Sequence, residues 1–274
     1  MMKRKLIFLC AGAFTLGAAL MAEQRAPQLP EPQSAHPNPS RTVPKPEGAM
    51  PKVPAGFTVD IYADNIRGPR MMEWAPNGDL FVSQTAINTV AVLRDTNNDG
   101  LPDQRSVFLQ GPPPQQRGRA PEPAPTAARG APHQVCLTDS LAGRQAYGIA
   151  FQPGYVYIGY TDCVVRYPYK GGETQFQGKP EPVVYVPGGG NHFARNVTFS
   201  RDGKKMYVAV GSASNNNEAE DVRRAAISEY NPDGTGFRIF ASGLRNPTAL
   251  AWQPGTNTLW TSVNERDNLG DDLV

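Results

Sequence analysis

Four times along its 274 residues this chain passes through the same local sequence: an aromatic residue, a turn rich in Pro, Asn, Asp or Gly, and a β-rich strand. The passages are Trp74-Ala-Pro-Asn-Gly-Asp-Leu-Phe-Val, Phe151-Gln-Pro-Gly-Tyr-Val-Tyr-Ile, Phe199-Ser-Arg-Asp-Gly-Lys-Lys-Met-Tyr-Val and Trp252-Gln-Pro-Gly-Thr-Asn-Thr-Leu-Trp. Pro presets one turn torsion, Gly supplies a positive φ, and the next strand folds back on the one before it. The aromatic anchors stand 77, 48 and 53 residues apart. Setting aside a proline-rich stretch at 111–133 brings the first spacing close to the other two. Roughly fifty residues per unit is the size of one four-stranded propeller blade with long loops.

Helical periodicity is nearly absent, and Glu218–Ala226 is the only fair helical candidate. The fold class expected is therefore all-β, as a β-propeller. A β-sandwich is the structural alternative, but it would not naturally repeat one turn at such intervals. Four anchors give three blades and the start of a fourth. Such an incomplete arc of about four blades leaves strand edges exposed, so the expectation is a C-terminally truncated piece of a longer protein.

Two stretches stand apart from the repeat. Residues 23–52 hold eight prolines and 111–133 hold seven, 15 of the 27 in the chain. Neither can bury enough apolar surface to fold. We read them as an extended tether and as an insertion on a surface loop of a partial propeller spanning 53–274. Residues 1–22 read as a secretory signal, with Lys3–Lys5 as the positive segment and Leu6–Met21 as the apolar one. An uncleaved anchor is the alternative, although 16 apolar residues fall short of the ~20 a spanning helix needs. The expected location is periplasmic or secreted, with no transmembrane domain after cleavage. Without Lys3, Arg4 and Lys5 the chain has 24 basic and 25 acidic residues, which argues against nucleic-acid binding. Cys136 and Cys163 would remain, either as one disulfide or as two buried thiols.

The residues able to do chemistry cluster before and after the repeated strands. His192 lies just before the third blade's inner strand, where loops line one mouth of a propeller's channel. There it either acts as a general base or simply caps the loop. Arg245 and Asn246 occupy the equivalent place one blade later. Arg245 either binds an oxyanion or bonds loop carbonyls. Val263-Asn-Glu-Arg-Asp-Asn-Leu-Gly-Asp-Asp-Leu, which we place after the fourth blade's inner strand, suits a hard cation or is a solvated acidic loop. Asp95–Asp103 matches the first nine positions of a calcium loop but has Ser106 at the twelfth, so a weak calcium site and an Asx-rich turn both remain open.

These residues resemble the soluble quinoprotein glucose/sorbosone dehydrogenases, most of all the sorbosone-dehydrogenase branch. The resemblance rests on Gly243-Leu-Arg-Asn-Pro followed by Leu-Trp-Thr-Ser-Val-Asn-Glu-Arg-Asp-Asn-Leu-Gly-Asp-Asp-Leu. It is extended by Asn191-His192 before Val-Thr-Phe-Ser-Arg-Asp-Gly, and by Thr161-Asp-Cys-Val-Val-Arg-Tyr-Pro-Tyr. It implies a six-bladed propeller with pyrroloquinoline quinone (PQQ) across the channel mouth and Ca2+ on the quinone oxygens. It also implies a sugar or aldose-type alcohol or aldehyde as substrate, and a cytochrome or quinone as electron acceptor. His192 matches the family's base, Arg245 its polarising arginine, Asn246 a cofactor contact and Gln145 a first-blade cofactor contact. The calcium falls near the carbonyls of Glu265 and Arg266, with Asp271 and Asp272 matching carboxylates for another cation. The family's later basic residues, which hold the cofactor carboxylates, have no counterpart here, and Phe193 follows the histidine where relatives carry a small or hydroxyl residue. The alternatives are a secreted, non-catalytic binding propeller and a calcium-dependent lactonase-like propeller.

Overall fold

The computed structural model describes residues 41, 43–111, 145–215 and 221–267. Most of the proline-rich 111–133 stretch, the signal region, Cys136, Asp271 and Asp272 lie outside the described residues. So the disulfide reading also falls outside them; Cys163 itself is buried in the core. Residues 43–52 carry no strand or helix and are largely exposed, with a turn closed by the Ala49 N–H on the Pro46 carbonyl. Among the described residues, no helix is long and apolar enough to cross a membrane.

Three four-stranded antiparallel sheets and one hairpin follow each other along the chain. The first sheet is β1 (Pro69–Trp74), β2 (Leu80–Gln84), β3 (Thr89–Arg94) and β4 (Gln104–Gln110). The second is β5 (Ala146–Gln152), β6 (Tyr155–Tyr160), β7 (Cys163–Pro168) and β8 (Glu181–Tyr185). The third is β9 (Arg195–Phe199), β10 (Met206–Val210), β11 (Ala226–Tyr230) and β12 (Arg238–Ser242), and the hairpin is β13 (Pro247–Trp252) with β14 (Leu259–Val263). Each sheet is a meander in sequence order, and the first strands β1, β5, β9 and β13 pack side by side from one sheet to the next. That is the architecture of a β-propeller, with three complete blades and half of a fourth among the described residues.

The repeat read from the sequence marks the end of each inner strand. Gly78, Gly154, Gly203 and Gly255 sit in the four turns with φ of 89°, 82°, 70° and 75°, a region that costs other residues strain. Three of the four anchors meet an aromatic residue on the second strand of the preceding blade, and Trp74, in the first, stands edge-on to Tyr62 at 6.0 Å. Phe151 stands edge-on to Phe81 at 5.1 Å, Phe199 to Tyr157 at 4.8 Å and Trp252 to Tyr207 at 5.6 Å. The Trp252 indole N–H also donates to the Phe199 carbonyl at 2.6 Å, tying one anchor to the next.

Close backbone approach between blades two and three depends on two glycines. A Cβ on Gly148 would lie 2.5 Å from the Arg195 carbonyl oxygen, and one on Gly159 would collide with the same atom. Their bare faces let β9 lie directly against β5 and β6. Two expectations from sequence are corrected here. Residues 221–225 form turns and Ala226 opens β11, so the described part of Glu218–Ala226 is not helical. Ala226–Tyr230 is apolar enough, and buried enough, that pairing between β10 and β12 outweighs a short polar helix. The acidic loop after Val263 leaves the second strand of its blade, β14, and not the inner strand.

Within blades, buried carboxylates are held by arginines. Asp79, 2% exposed, accepts from Arg94 Nε at 2.7 Å and Arg94 Nη2 at 2.6 Å. Burial alone would raise its carboxyl; the hydrogen bonds from Arg94 and Asn77 and the Arg94 charge outweigh burial and hold it below the usual carboxylate range. Asp221 with Arg223, and Glu229 with Arg238, are depressed against burial in the same way. A depressed carboxyl stabilises the fold above its unfolded pKa and ceases to do so as pH falls through the folded value. Thermal melts should therefore be level from pH 7 down to about 5 and fall steeply below about 4; Asp79→Asn should flatten part of that acid limb. For the aromatic contacts, a double-mutant cycle of Phe199→Leu and Tyr157→Leu in chemical denaturation should give a coupling of about 0.5–1.5 kcal/mol.

Candidate functional site

The inner strands all start at the same end of the arc, so the residues preceding them share one mouth. Gln145 precedes β5, His192 lies three residues before β9, and Arg245 and Asn246 immediately precede β13. The structure links these positions in a continuous chain of contacts. Gln145 Oε1 accepts from the Tyr147 hydroxyl at 3.3 Å, and the Tyr147 ring packs on Phe193 at 5.7 Å, next to His192. His192 Nδ1 lies 2.8 Å from the Ser212 carbonyl oxygen and 3.0 Å from Ser212 Oγ. The Ser212 N–H in turn donates to the Arg245 carbonyl at 2.8 Å. His192 and Arg245 therefore stand before the inner strands of adjacent blades, linked through Ser212 to the backbone carbonyl of Arg245, while the guanidinium itself bonds elsewhere.

Ser212 settles which imidazole nitrogen carries the proton. A carbonyl oxygen only accepts, so Nδ1 must donate to it, and in the neutral ring the lone pair is then on Nε2. The Ser212 hydroxyl donates to the Ser214 carbonyl at 2.6 Å, which leaves its oxygen as a second acceptor facing Nδ1. His192 is thus oriented by backbone, with Nε2 as its basic atom.

Between His192 and Asn246 the chain places Gly211. A Cβ there would lie 2.6 Å from His192 Cβ and 2.5 Å from Asn246 Oδ1. Only glycine lets the two side chains flank one backbone position. Asn246 Oδ1 is buried and accepts no hydrogen bond from the described residues, an uncommon state for an amide oxygen.

Arg245 is 8% exposed, and all five of its N–H groups are engaged. Nε donates to the Asn215 carbonyl at 3.1 Å. Nη1 donates to the carbonyls of Asn264, at 3.1 Å, and Glu265. Nη2 donates to Asn215 Oδ1 at 2.6 Å and Asp267 Oδ2 at 3.1 Å. The guanidinium thus locks the loop after β14 to the loop after β10. The side chains of Glu265 and Arg266 point to solvent, and the Glu265 carbonyl is turned onto Arg245. Among the described residues no three His, Cys, Asp or Glu side chains gather to hold a metal, so the oxygen donors of this loop are mainly carbonyls.

Further residues support the mouth and were not singled out from sequence. Arg195, fully buried, donates through Nη1 to the carbonyls of His192 (2.9 Å) and Ala194 (2.8 Å) and through Nη2 to that of Pro187 (2.5 Å). Arg224, 4% exposed, reaches the carbonyls of Gly188 and Gly211. Together they satisfy the irregular, glycine-rich backbone that carries His192. Their partners lie up to 36 residues away, so no local pattern announces them. In the Asp95–Asp103 loop, Asp95 accepts from the N–H groups of Asn98 and Gly100, and Asp99 from that of Leu101. These are the bonds of an Asx-rich turn. A separate cavity of about 450 Å³ lies at the opposite ends of the inner strands, lined by Glu73, Gln152, Thr198 and Asp202 among others; it includes none of the mouth residues.

The TrAA12-like family model matches residues 132–273. Aldose sugar dehydrogenase YliI of Escherichia coli (strain K12) is 30% identical over 101 residues, 31% of this chain and 26% of that protein. Among solved structures, the holo PQQ domain of pyranose dehydrogenase from Coprinopsis cinerea superposes with a TM-score of 0.56 at 18% identity, over 76% of this chain and 46% of that one. The calcium structure of the Trichoderma reesei family AA12 enzyme gives 0.57 at 16% identity, over 75% and 48%. PQQ-bound aldose sugar dehydrogenase from Streptomyces coelicolor gives 0.51 at 19%, over 75% and 59%. The chain spans about half the length of these structures, and the likeness establishes a common fold.

Replacing Arg224 with Met keeps much of its bulk and removes the donors to Gly188 and Gly211. This should cost about 1–3 kcal/mol in denaturant titrations, with faster hydrogen exchange of the amides in 188–192 as the local signature.

Proposed function

Because the chain belongs to the TrAA12-like family, we propose that it forms the histidine-bearing part of an exported quinoprotein dehydrogenase. This enzyme oxidises a sugar, or an aldose-type alcohol or hydrated aldehyde, using PQQ and calcium. The names of the relatives support the chemistry: pyranose and aldose sugar dehydrogenases, two of them described with PQQ. The apolar segment behind Lys3–Lys5 supports export to the periplasm or beyond. The electron acceptor in this reading is a cytochrome or a quinone.

One observation carries the site assignment. His192 and Asn246, from different blades, flank the bare Gly211, and the Asn246 amide oxygen is buried without a donor among the described residues. An N–H from a bound group that reaches this oxygen would satisfy it. Asn246 and, across the mouth, Gln145 would hold the quinone, and the carbonyls of the Asn264–Glu265 loop have the oxygen chemistry calcium prefers.

His192 would take the proton of the substrate hydroxyl at Nε2. The Ser212 carbonyl fixes that tautomer and, once the ring is protonated, its dipole stabilises the positive charge on the Nδ1 side. The Phe193–Tyr147 ring contact walls the loop beside the histidine and limits its movement. Bound PQQ would supply the two-electron acceptor for the carbinol hydride, and calcium a positive charge beside it.

The test is a PQQ titration in the presence of calcium, followed by dye-linked turnover on a panel of aldoses. Quinone absorbance should change on binding. His192→Ala should keep PQQ affinity within about threefold while lowering kcat by about 10²–10⁴-fold, and Asn246→Ala should weaken PQQ binding by about tenfold. An unchanged quinone spectrum would leave a non-catalytic binding propeller; turnover equal to that of His192→Ala would remove the histidine base.

A further inference from the structure

The oxygens around Arg245 form an unusual set. Five of them converge on one guanidinium: the carbonyls of Asn264, Glu265 and Asn215, the amide oxygen of Asn215 and the carboxylate of Asp267. Carbonyl, amide and carboxylate oxygens are the donors a hard divalent cation takes, and here they surround an organic one. The set is also held from outside. The Asp267 N–H donates to Asn215 Oδ1 at 2.9 Å, Asn215 Nδ2 donates to the Asp267 carbonyl at 3.2 Å, and the Asn264 N–H donates to the Asn246 carbonyl at 3.0 Å. Two strand-leaving loops are thereby stapled into a cage whose oxygens face inward.

Charge limits what this cage can contain. Asp267 is its only carboxylate and balances one positive charge. The Asn264 and Glu265 carbonyls cannot serve Arg245 Nη1 and a metal ion at once, and two cations sharing one carboxylate repel strongly at such separation. We propose that Arg245 is the resident cation of this cage and that a divalent metal ion, calcium by donor chemistry, displaces it. The displaced guanidinium is anchored beside Asn246, so its N–H groups become available at the mouth where His192 stands. Arg245 thus exchanges between a locking role, with every donor spent on loop oxygens, and a role facing the channel. The proposal deepens the dehydrogenase reading, because that reading needs a free guanidinium at the mouth, but the exchange itself requires neither quinone nor sugar.

The experiment follows the guanidinium directly in the 274-residue chain. Phenylglyoxal, which modifies accessible arginine side chains, is applied with and without about 5 mM calcium, above the 10⁻⁴–10⁻³ M range of the weaker protein calcium sites. Sodium chloride of equal ionic strength is the control, and modification is mapped by peptide mass spectrometry with the buried Arg195 as internal reference. Modification of Arg245 should rise about fivefold or more with calcium while Arg195 stays unchanged. Independently, Arg245→Ala should bind terbium, read by tryptophan-sensitised luminescence, about tenfold more tightly than the parent, since the competing internal cation is gone. Adding Asp267→Asn to that variant should remove the gain. Calcium-independent modification of Arg245 overturns the proposal, as does a folded Arg245→Ala protein with unchanged or weaker terbium affinity. If that variant does not fold, the modification experiment decides alone. Dehydrogenase activity enters neither readout, so failure of the functional reading and failure of the exchange are separable.

Discussion

The edge-on contact between an inner-strand anchor and a ring in the preceding blade is the interaction on which the rest of this structure depends. It fixes how far each blade is rotated and shifted relative to the last, because an aromatic edge meets an aromatic face over a narrow range of distances and angles. Phe151 on Phe81, Phe199 on Tyr157 and Trp252 on Tyr207 apply the same constraint three times. Once the far ends of the inner strands are set, their near ends are set too. That is why residues 145, 192 and 245, distant in sequence, reach one mouth. Gly148 and Gly159 complete the constraint by removing the side chains that would hold β9 away.

This also explains which parts of the molecule could be read from sequence. The blades were legible because each required the same two local devices, an aromatic anchor and a glycine with positive φ. Gly78, Gly154, Gly203 and Gly255 all supply the latter. The position of His192 followed from the same register. What the sequence hid was long-range. The tautomer of His192 depends on Ser212, twenty residues on, and the orientation of Arg245 depends on Asn215, Asn264 and Asp267. Local propensity misled at Ala226, where the polar residues before it suggested helix and the apolar ones after it paired as a strand. The loop after Val263 was assigned to the wrong strand because the anchor Trp252 ends one strand and Leu259 opens another only seven residues later.

The mouth is built on backbone carbonyls more than on side-chain pairs. The loops that lead into inner strands are irregular, and several of their carbonyl oxygens turn inward with no strand partner. An unpaired buried carbonyl is costly. Arginine answers this need better than lysine, because its planar fork serves several oxygens from one buried group. Arg195, Arg224 and Arg245 each do so, and the first two fix the segment from Pro187 to Ala194 that presents His192.

His192 enters a blade whose strands β9, β10 and β11 are almost wholly buried, with β5 and β6 on one face and β13 on the other. Buried strands open at higher free-energy cost than loops. The Ser212 carbonyl, two residues beyond the end of the buried strand β10, carries that rigidity to the Nδ1 of His192. The ring is therefore oriented by a packed sheet and not by its own glycine-rich loop, which by itself has no regular structure to hold a side chain in one place.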